Sequence, residues 1–140
     1  RGMKEGVIKI PLTDALASGK DFLEAEHIVA MIPIPTAMVK HGEKYFLVRV
    51  EDHSLNLAEV GGTKVKIFTY ALVRQTRTAE HGDVVVALYK DELTIKIYEN
   101  AHGIEILRPR SNDASYGAIV LTQLCDIKGV VVAILPSNLY

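Results

Sequence analysis

His53 and Ser54 adjoin one another, and Lys96 follows 42 positions after the serine. A serine becomes a nucleophile when a base removes its proton, and these neighbours supply two candidates for that base. Adjacent residues on an extended chain point to opposite faces, which leaves His53 poorly placed to act on Ser54. Lys96 is the better candidate. It lies in the stretch KDELTIKIY, Lys90 to Tyr98, which alternates from Leu93 onward. Leu93, Ile95 and Ile97 share one face, and Thr94, Lys96 and Tyr98 share the other. The apolar face fixes the strand and leaves Lys96 on the opposite side, either as an ordinary solvent-facing lysine or as a catalytic amine in a cleft. The catalytic role requires a neutral amine, hence an apolar pocket that brings the pKa down from about 10.4 toward neutrality. Each unit of displacement costs about 1.4 kcal/mol, which packing around the cleft must offset. Thr94, on the Lys96 face, is placed to hydrogen-bond there.

Other chemistries find little support. Five histidines, His27, His41, His53, His81 and His102, have no paired spacing suited to a metal, and the single Cys125 cannot complete a zinc site, so no metal is expected. There is no GxGxxG, no phosphate-binding loop and no GxSxG elbow, so no cofactor is expected either. The carboxylates of Asp91 and Glu92 fall at a turn, where solvation is their natural role. A net charge of -1 with 24% charged and 49% hydrophobic residues excludes a disordered chain and gives no electrostatic basis for direct DNA binding. No apolar run approaches the roughly 18 residues of a membrane span and no signal-peptide pattern opens the chain, so a cytoplasmic protein without membrane contact is expected. Cys125 reads as a buried apolar filler.

The elements that must position Ser54 and Lys96 are short strand-like runs. They cover Tyr45 to Val50, Val65 to Tyr70, Val84 to Tyr89, Leu93 to Tyr98, Ile104 to Leu107, Ala118 to Leu121 and Ile127 to Leu135. Between them lie His41-Gly42, Gly61-Gly62, His81-Gly82-Asp83, His102-Gly103, Ser111-Asn112-Asp113 and Lys128-Gly129, all rich in turn-forming residues. The pattern predicts an all-β fold, with Lys90-Asp91 closing a hairpin that lays Val84–Tyr89 antiparallel to Leu93–Tyr98. The first 44 residues are punctuated by Gly and Pro and carry only a weak helical pattern at Asp21 to Ala30, which predicts an extended arm with one helical turn. One structural domain spans residues 1–140, with an arm over 1–40 and a β core over 41–140. Opening on Arg1 points to a fragment of a longer protein.

Four collinear segments together resemble the self-cleaving C-terminal domain of LexA, UmuD and related phage repressors, a serine peptidase family with a Ser-Lys dyad. PLTDALASG, Pro11 to Gly19, continuing through KDFLEAEHI, is similar to the family's cleavage-site arm, which matches the scissile bond to Ser18-Gly19. YFLVRVEDHSL, Tyr45 to Leu55, places Ser54 at the nucleophile. HGDVVVALYKDELTIK, His81 to Lys96, matches the family's hairpin and places its general base at Lys96. LRPRSNDASYGAIVL, Leu107 to Leu121, is similar to the family's Leu-x-Pro, Asn and Tyr pattern. Around the nucleophile the family usually reads Ser-Gly-x-Ser-Met. This chain has Glu51-Asp52-His53-Ser54-Leu55, in which Asp52 is expected to narrow or reshape the site. The usual Gly-Asp that follows is replaced by Gly61-Gly62 and extra residues.

The resemblance implies twisted antiparallel sheets with an extended N-terminal cleavage-site arm, and autoproteolysis at Ser18-Gly19 by Ser54 and Lys96. Leu16 would anchor the arm in an apolar pocket, Ala17 and Ser18 would suit a narrow cleft, and Glu92 would orient the hairpin. It also implies a homodimer, a RecA-like filament as activator, and DNA contact through a separate N-terminal domain. The run Val130-Val131-Val132 fits either a core strand or an edge that pairs across the dimer. Within the family the alternative is a UmuD-like polymerase accessory protein, and outside it a non-catalytic dimerisation or sensor domain of the same fold.

Overall fold

The computed structural model of the chain describes residues 6–14, 23–122 and 125–140. Eleven strands form among them. These are β1 (Val7–Thr13), β2 (Ile28–Pro35), β3 (Tyr45–Arg49), β4 (Glu59–Val60), β5 (Thr63–Lys64), β6 (Tyr70–Gln75), β7 (Val84–Tyr89), β8 (Glu92–Ala101), β9 (Ile104–Arg108), β10 (Ile119–Val120) and β11 (Cys125–Leu135). Nine of them make one sheet in the order β10-β9-β8-β7-β11-β6-β3-β1-β2, and β4 and β5 form a separate ribbon. The all-β expectation is met. The sheet is mixed rather than wholly antiparallel, because β1 runs parallel to β3 through Leu12–Leu47 and Thr13–Val48.

The predicted hairpin forms, with Tyr89 opposite Glu92 and Val85 opposite Lys96. Its two turn residues, Lys90 at φ 51° and Asp91 at φ 66°, take the left-handed backbone that a two-residue hairpin needs to match strand twist. β3, β6 and β7 read as unbroken apolar runs because both of their faces are covered. Phe46, Val48, Val73, Val84 and Val86 join Leu55, Ala58 and Val65 in one cluster. Leu47, Tyr70 and Leu72 pack with Ile10, Leu12, Ile32 and Ile34 in a second, and Val85, Ala87, Leu107 and Ile127 with buried Cys125 in a third.

Several expectations are corrected. Val65–Tyr70 is not a strand. Val50 and Phe68 clamp it into a turn, with Phe68 N–H donating to the Val50 carbonyl at 2.7 Å and Val50 N–H to the Thr69 carbonyl at 2.8 Å. The strand begins at Tyr70, so most of β6 escaped the sequence reading. The arm is a ribbon rather than a loose extended segment. Within the predicted helical stretch lies the 3-10 turn at Ala25–His27, after which β2 pairs antiparallel with β1, and a second 3-10 turn follows at Thr36–Met38. β11 is no edge, since it pairs with β6 on one side and β7 on the other. The edge at the N-terminal end of the sheet is β2, where Pro33 faces Lys9 and Pro35 faces Val7.

Candidate active site

The strand β3 runs into a compact turn over residues 51–58. Asn56 N–H returns to the His53 carbonyl at 3.2 Å and Ala58 N–H to the Leu55 carbonyl at 2.9 Å. Buried Leu55 and Ala58 pin this turn to the core. Ser54, between the pinned side chains and the end of β3, is only 2% exposed. On the other side, β8 pairs with β9 from Ala101 to Ile97. Beyond Ile97 that edge of β8 is met by the turn, where Ser54 Oγ donates to the Ile95 carbonyl at 3.4 Å.

Lys96 projects to the same point. Its Nζ donates to Ser54 Oγ at 3.2 Å and to Thr94 Oγ1 at 2.7 Å. Lys96 is 5% exposed, and with Thr13 and Ser54 it makes up the buried polar and charged residues among those described. Burial lowers the Lys96 pKa from its ordinary value because the charged ammonium loses solvation, while the Asp52 carboxylate acts in the opposite sense. Deprotonation of the amine would free a lone pair to accept the Ser54 hydroxyl proton. A cleft of about 320 Å³ opens beside the pair. Val48, Val50, Leu55, Val65, Leu93 and Ile95 give it an apolar lining, while Arg49, Glu51, Asp52 and Glu92 add charge.

The structure thus brings together Ser54, Lys96 and Thr94, and places Glu92 in the cleft wall at the start of β8. Leu16, Ala17, Ser18 and Gly19 lie outside the described residues. Asp52, expected only to narrow or reshape the site, makes a defined contact there, and sequence reasoning missed two further contributors. Asp52 Oδ1 accepts the Ser54 N–H at 2.9 Å, Tyr116 Oη accepts the His53 N–H at 3.2 Å, and the Arg110 N–H holds the Ser54 carbonyl at 2.8 Å. Only the first had a local signal. An aspartate two residues before another amide is the pattern of an Asx-turn.

A family described as Peptidase S24-like matches residues 11–132, which includes both Ser54 and Lys96. The chain belongs to the Peptidase S24-like family. Its relatives include the LexA repressor of Syntrophotalea carbinolica, 35% identical over 96% of this chain and 63% of that protein. The LexA repressor of Clostridium perfringens (strain ATCC 13124) is 31% identical over 91% of this chain and 59% of its own length. That of Leifsonia xyli subsp. xyli is 29% identical over 91% of this chain and 53% of its own. The chain spans about half the length of the curated relatives it matches first. The family resemblance read from the four segments is therefore shown. No helix among the described residues is long and apolar enough to cross a membrane.

Proposed function

We propose that this chain is the self-cleavage domain of a LexA-like repressor, with Ser54 as nucleophile and Lys96 as general base. The observation that carries the reading is a buried amine 3.2 Å from a buried hydroxyl that lines a cleft. Neutral Lys96 takes the Ser54 proton as Oγ bonds to the Ser18 carbonyl carbon. The tetrahedral adduct collapses, the bond from that carbon to the Gly19 nitrogen breaks, and Lys96 returns the proton to the departing amine. Water then attacks the Ser18–Ser54 ester, again with Lys96 as base, which releases the Ser18 carboxylate and restores Ser54. Backbone N–H groups at Ser54 stabilise the oxyanion. Because the scissile bond belongs to the same chain, effective concentration replaces substrate binding.

In the same reading the domain forms a homodimer, a RecA-like filament favours the cleavable arrangement, and DNA contact belongs to residues outside these 140. The partial coverage of the LexA relatives fits that division. A second reading is a non-catalytic dimerisation or sensor domain, which is favoured by the side-chain partners already held by the His53 and Ser54 amides. Incubation of the purified chain at alkaline pH separates the two. The catalytic reading expects two fragments, the larger beginning at Gly19, from the wild type and an intact band from Ser54→Ala and Lys96→Ala. A wild-type band that stays intact beside both variants rejects it.

A further inference from the structure

The Ser54 N–H has two potential claimants. In the proposed reaction it is the amide nearest the developing oxyanion, yet it already donates to Asp52 Oδ1 at 2.9 Å. An amide engaged by a full negative charge makes a short, charge-assisted bond and must give it up before it can serve an oxyanion. The neighbouring His53 amide is held by the Tyr116 hydroxyl at 3.2 Å. The same Asp52 carboxylate lines the cleft beside Ser54.

We propose that Asp52 is a built-in brake on the Ser54–Lys96 pair, a positioning residue that occupies the nucleophile's own amide. This inference rests on the catalytic reading above. The charge works on the base as well as on the amide. Asp52 favours the ammonium form of Lys96, against the burial that favours the neutral amine.

The surroundings leave Asp52 as the acting carboxylate. Thr94 on β8 contributes a neutral hydroxyl and β7 places apolar Val85 opposite Lys96. Arg49 and Glu51 from the end of β3 and Glu92 from the start of β8 line the cleft, with Arg49 and Glu51 3.9 Å apart as an ion pair. His53 lies in the turn, Asp113 faces it from the loop after β9, and Arg110 of the same loop reaches Ser54 through its main chain. Among all of these, the field that opposes deprotonation of Lys96 is that of Asp52.

Two substitutions in the full chain divide the brake into its parts. Asp52→Asn keeps an oxygen for the Ser54 amide and removes the charge. Asp52→Gly removes both and restores the residue usual in the family. Fragment formation against pH is expected to show a midpoint lower by about one unit in both variants. The maximum rate should rise about tenfold or more in Asp52→Gly, beyond any rise in Asp52→Asn, because an oxyanion donor is freed. Midpoints and maxima equal to the wild type would overturn the brake while leaving the catalytic reading intact. If neither the wild type nor either variant cleaves at any pH, the catalytic reading fails. The lysine Cε and Nζ resonances of Lys96, followed by NMR titration, then judge the electrostatic claim separately. A lower midpoint in Asp52→Asn than in the wild type upholds the claim, and identical titrations overturn it.

Discussion

Arg110 donates its backbone N–H to the Ser54 carbonyl at 2.8 Å, and three residues further along the turn Leu57 N–H returns to the Arg110 carbonyl at 3.1 Å. The segment after β9 therefore acts as a short splint along the serine turn. Asn56 extends it, with Nδ2 donating to Asn112 Oδ1 at 3.0 Å and Oδ1 accepting the Asn112 N–H at 3.3 Å. Asn56→Ala removes both bonds in an exposed setting and is expected to cost about 1 kcal/mol in chemical denaturation. It should also slow alkaline cleavage severalfold, because the turn that aims Ser54 loses one of its two ties to residues 110–112. Unchanged cleavage with reduced stability would show that the main-chain pair alone sets the serine.

Thr94 holds the amine in place through its 2.7 Å bond to Lys96 Nζ. Thr94→Val keeps the shape and deletes the acceptor. The ammonium form loses a partner, so the pH midpoint of cleavage should move down. The lysine also loses its aim, so the maximum rate should fall about tenfold. A rate profile identical to the wild type would remove Thr94 from the site.

Lys96 should leave a mark on stability against pH. Its folded pKa lies below the unfolded value near 10.5, so between those two values the unfolded chain binds more protons than the folded one. The destabilisation is therefore fully present below the folded pKa, diminishes as pH rises through that window, and is gone above the unfolded pKa. Lys96→Met, which fills the site without a charge, is expected to unfold at higher denaturant than the wild type at neutral pH, with the gap closing toward alkaline pH. A gap that does not change with pH would contradict the assignment.

Gly129 sits where β11 shifts register against β7. A Cβ there would stand 2.6 Å from the Arg74 carbonyl oxygen and against the Val73 side chain. The carbonyl belongs to the adjacent strand and cannot swing aside. Gly129→Ala is expected to destabilise by about 3 kcal/mol, measured by chemical denaturation. A loss below about 1 kcal/mol would mean that the bulge yields easily.

The β7–β8 hairpin and the side of β8 that carries Lys96 were legible because alternation and a two-residue turn are local properties of nine consecutive residues. Ser54 stood as a candidate by residue type and by the resemblance, but nothing in the sequence around it states that Ile95 and Lys96 will arrive from 41 and 42 positions away. The β6 strand was misplaced because Val65–Tyr70 has strand composition, yet the Phe68 amide and the Thr69 carbonyl pair with Val50 and the Val65 amide with Ala58, non-local partners that override propensity. The β1–β2 ribbon was obscured by Pro11, Pro33 and Pro35, which read as punctuation when taken one at a time. Paired, they are compatible with a strand edge. Tyr116 and Arg110 act through a hydroxyl and a main-chain amide, and neither role has a sequence signature.

Those prolines carry a consequence of their own. The pairs Val7–Pro35, Lys9–Pro33 and Pro11–Met31 share one parity, and each contains a residue with no N–H to exchange. The ladder bonds between β1 and β2 must therefore fall on the alternate pairs, and the backbone of Met31, Pro33 and Pro35 turns outward. Of those three, Met31 alone has a proton to offer a newcomer. A tenth strand arriving at this rim would find most of its carbonyls unanswered, so the chain carries its own guard against fibrillar stacking at the end of the sheet that β2 forms.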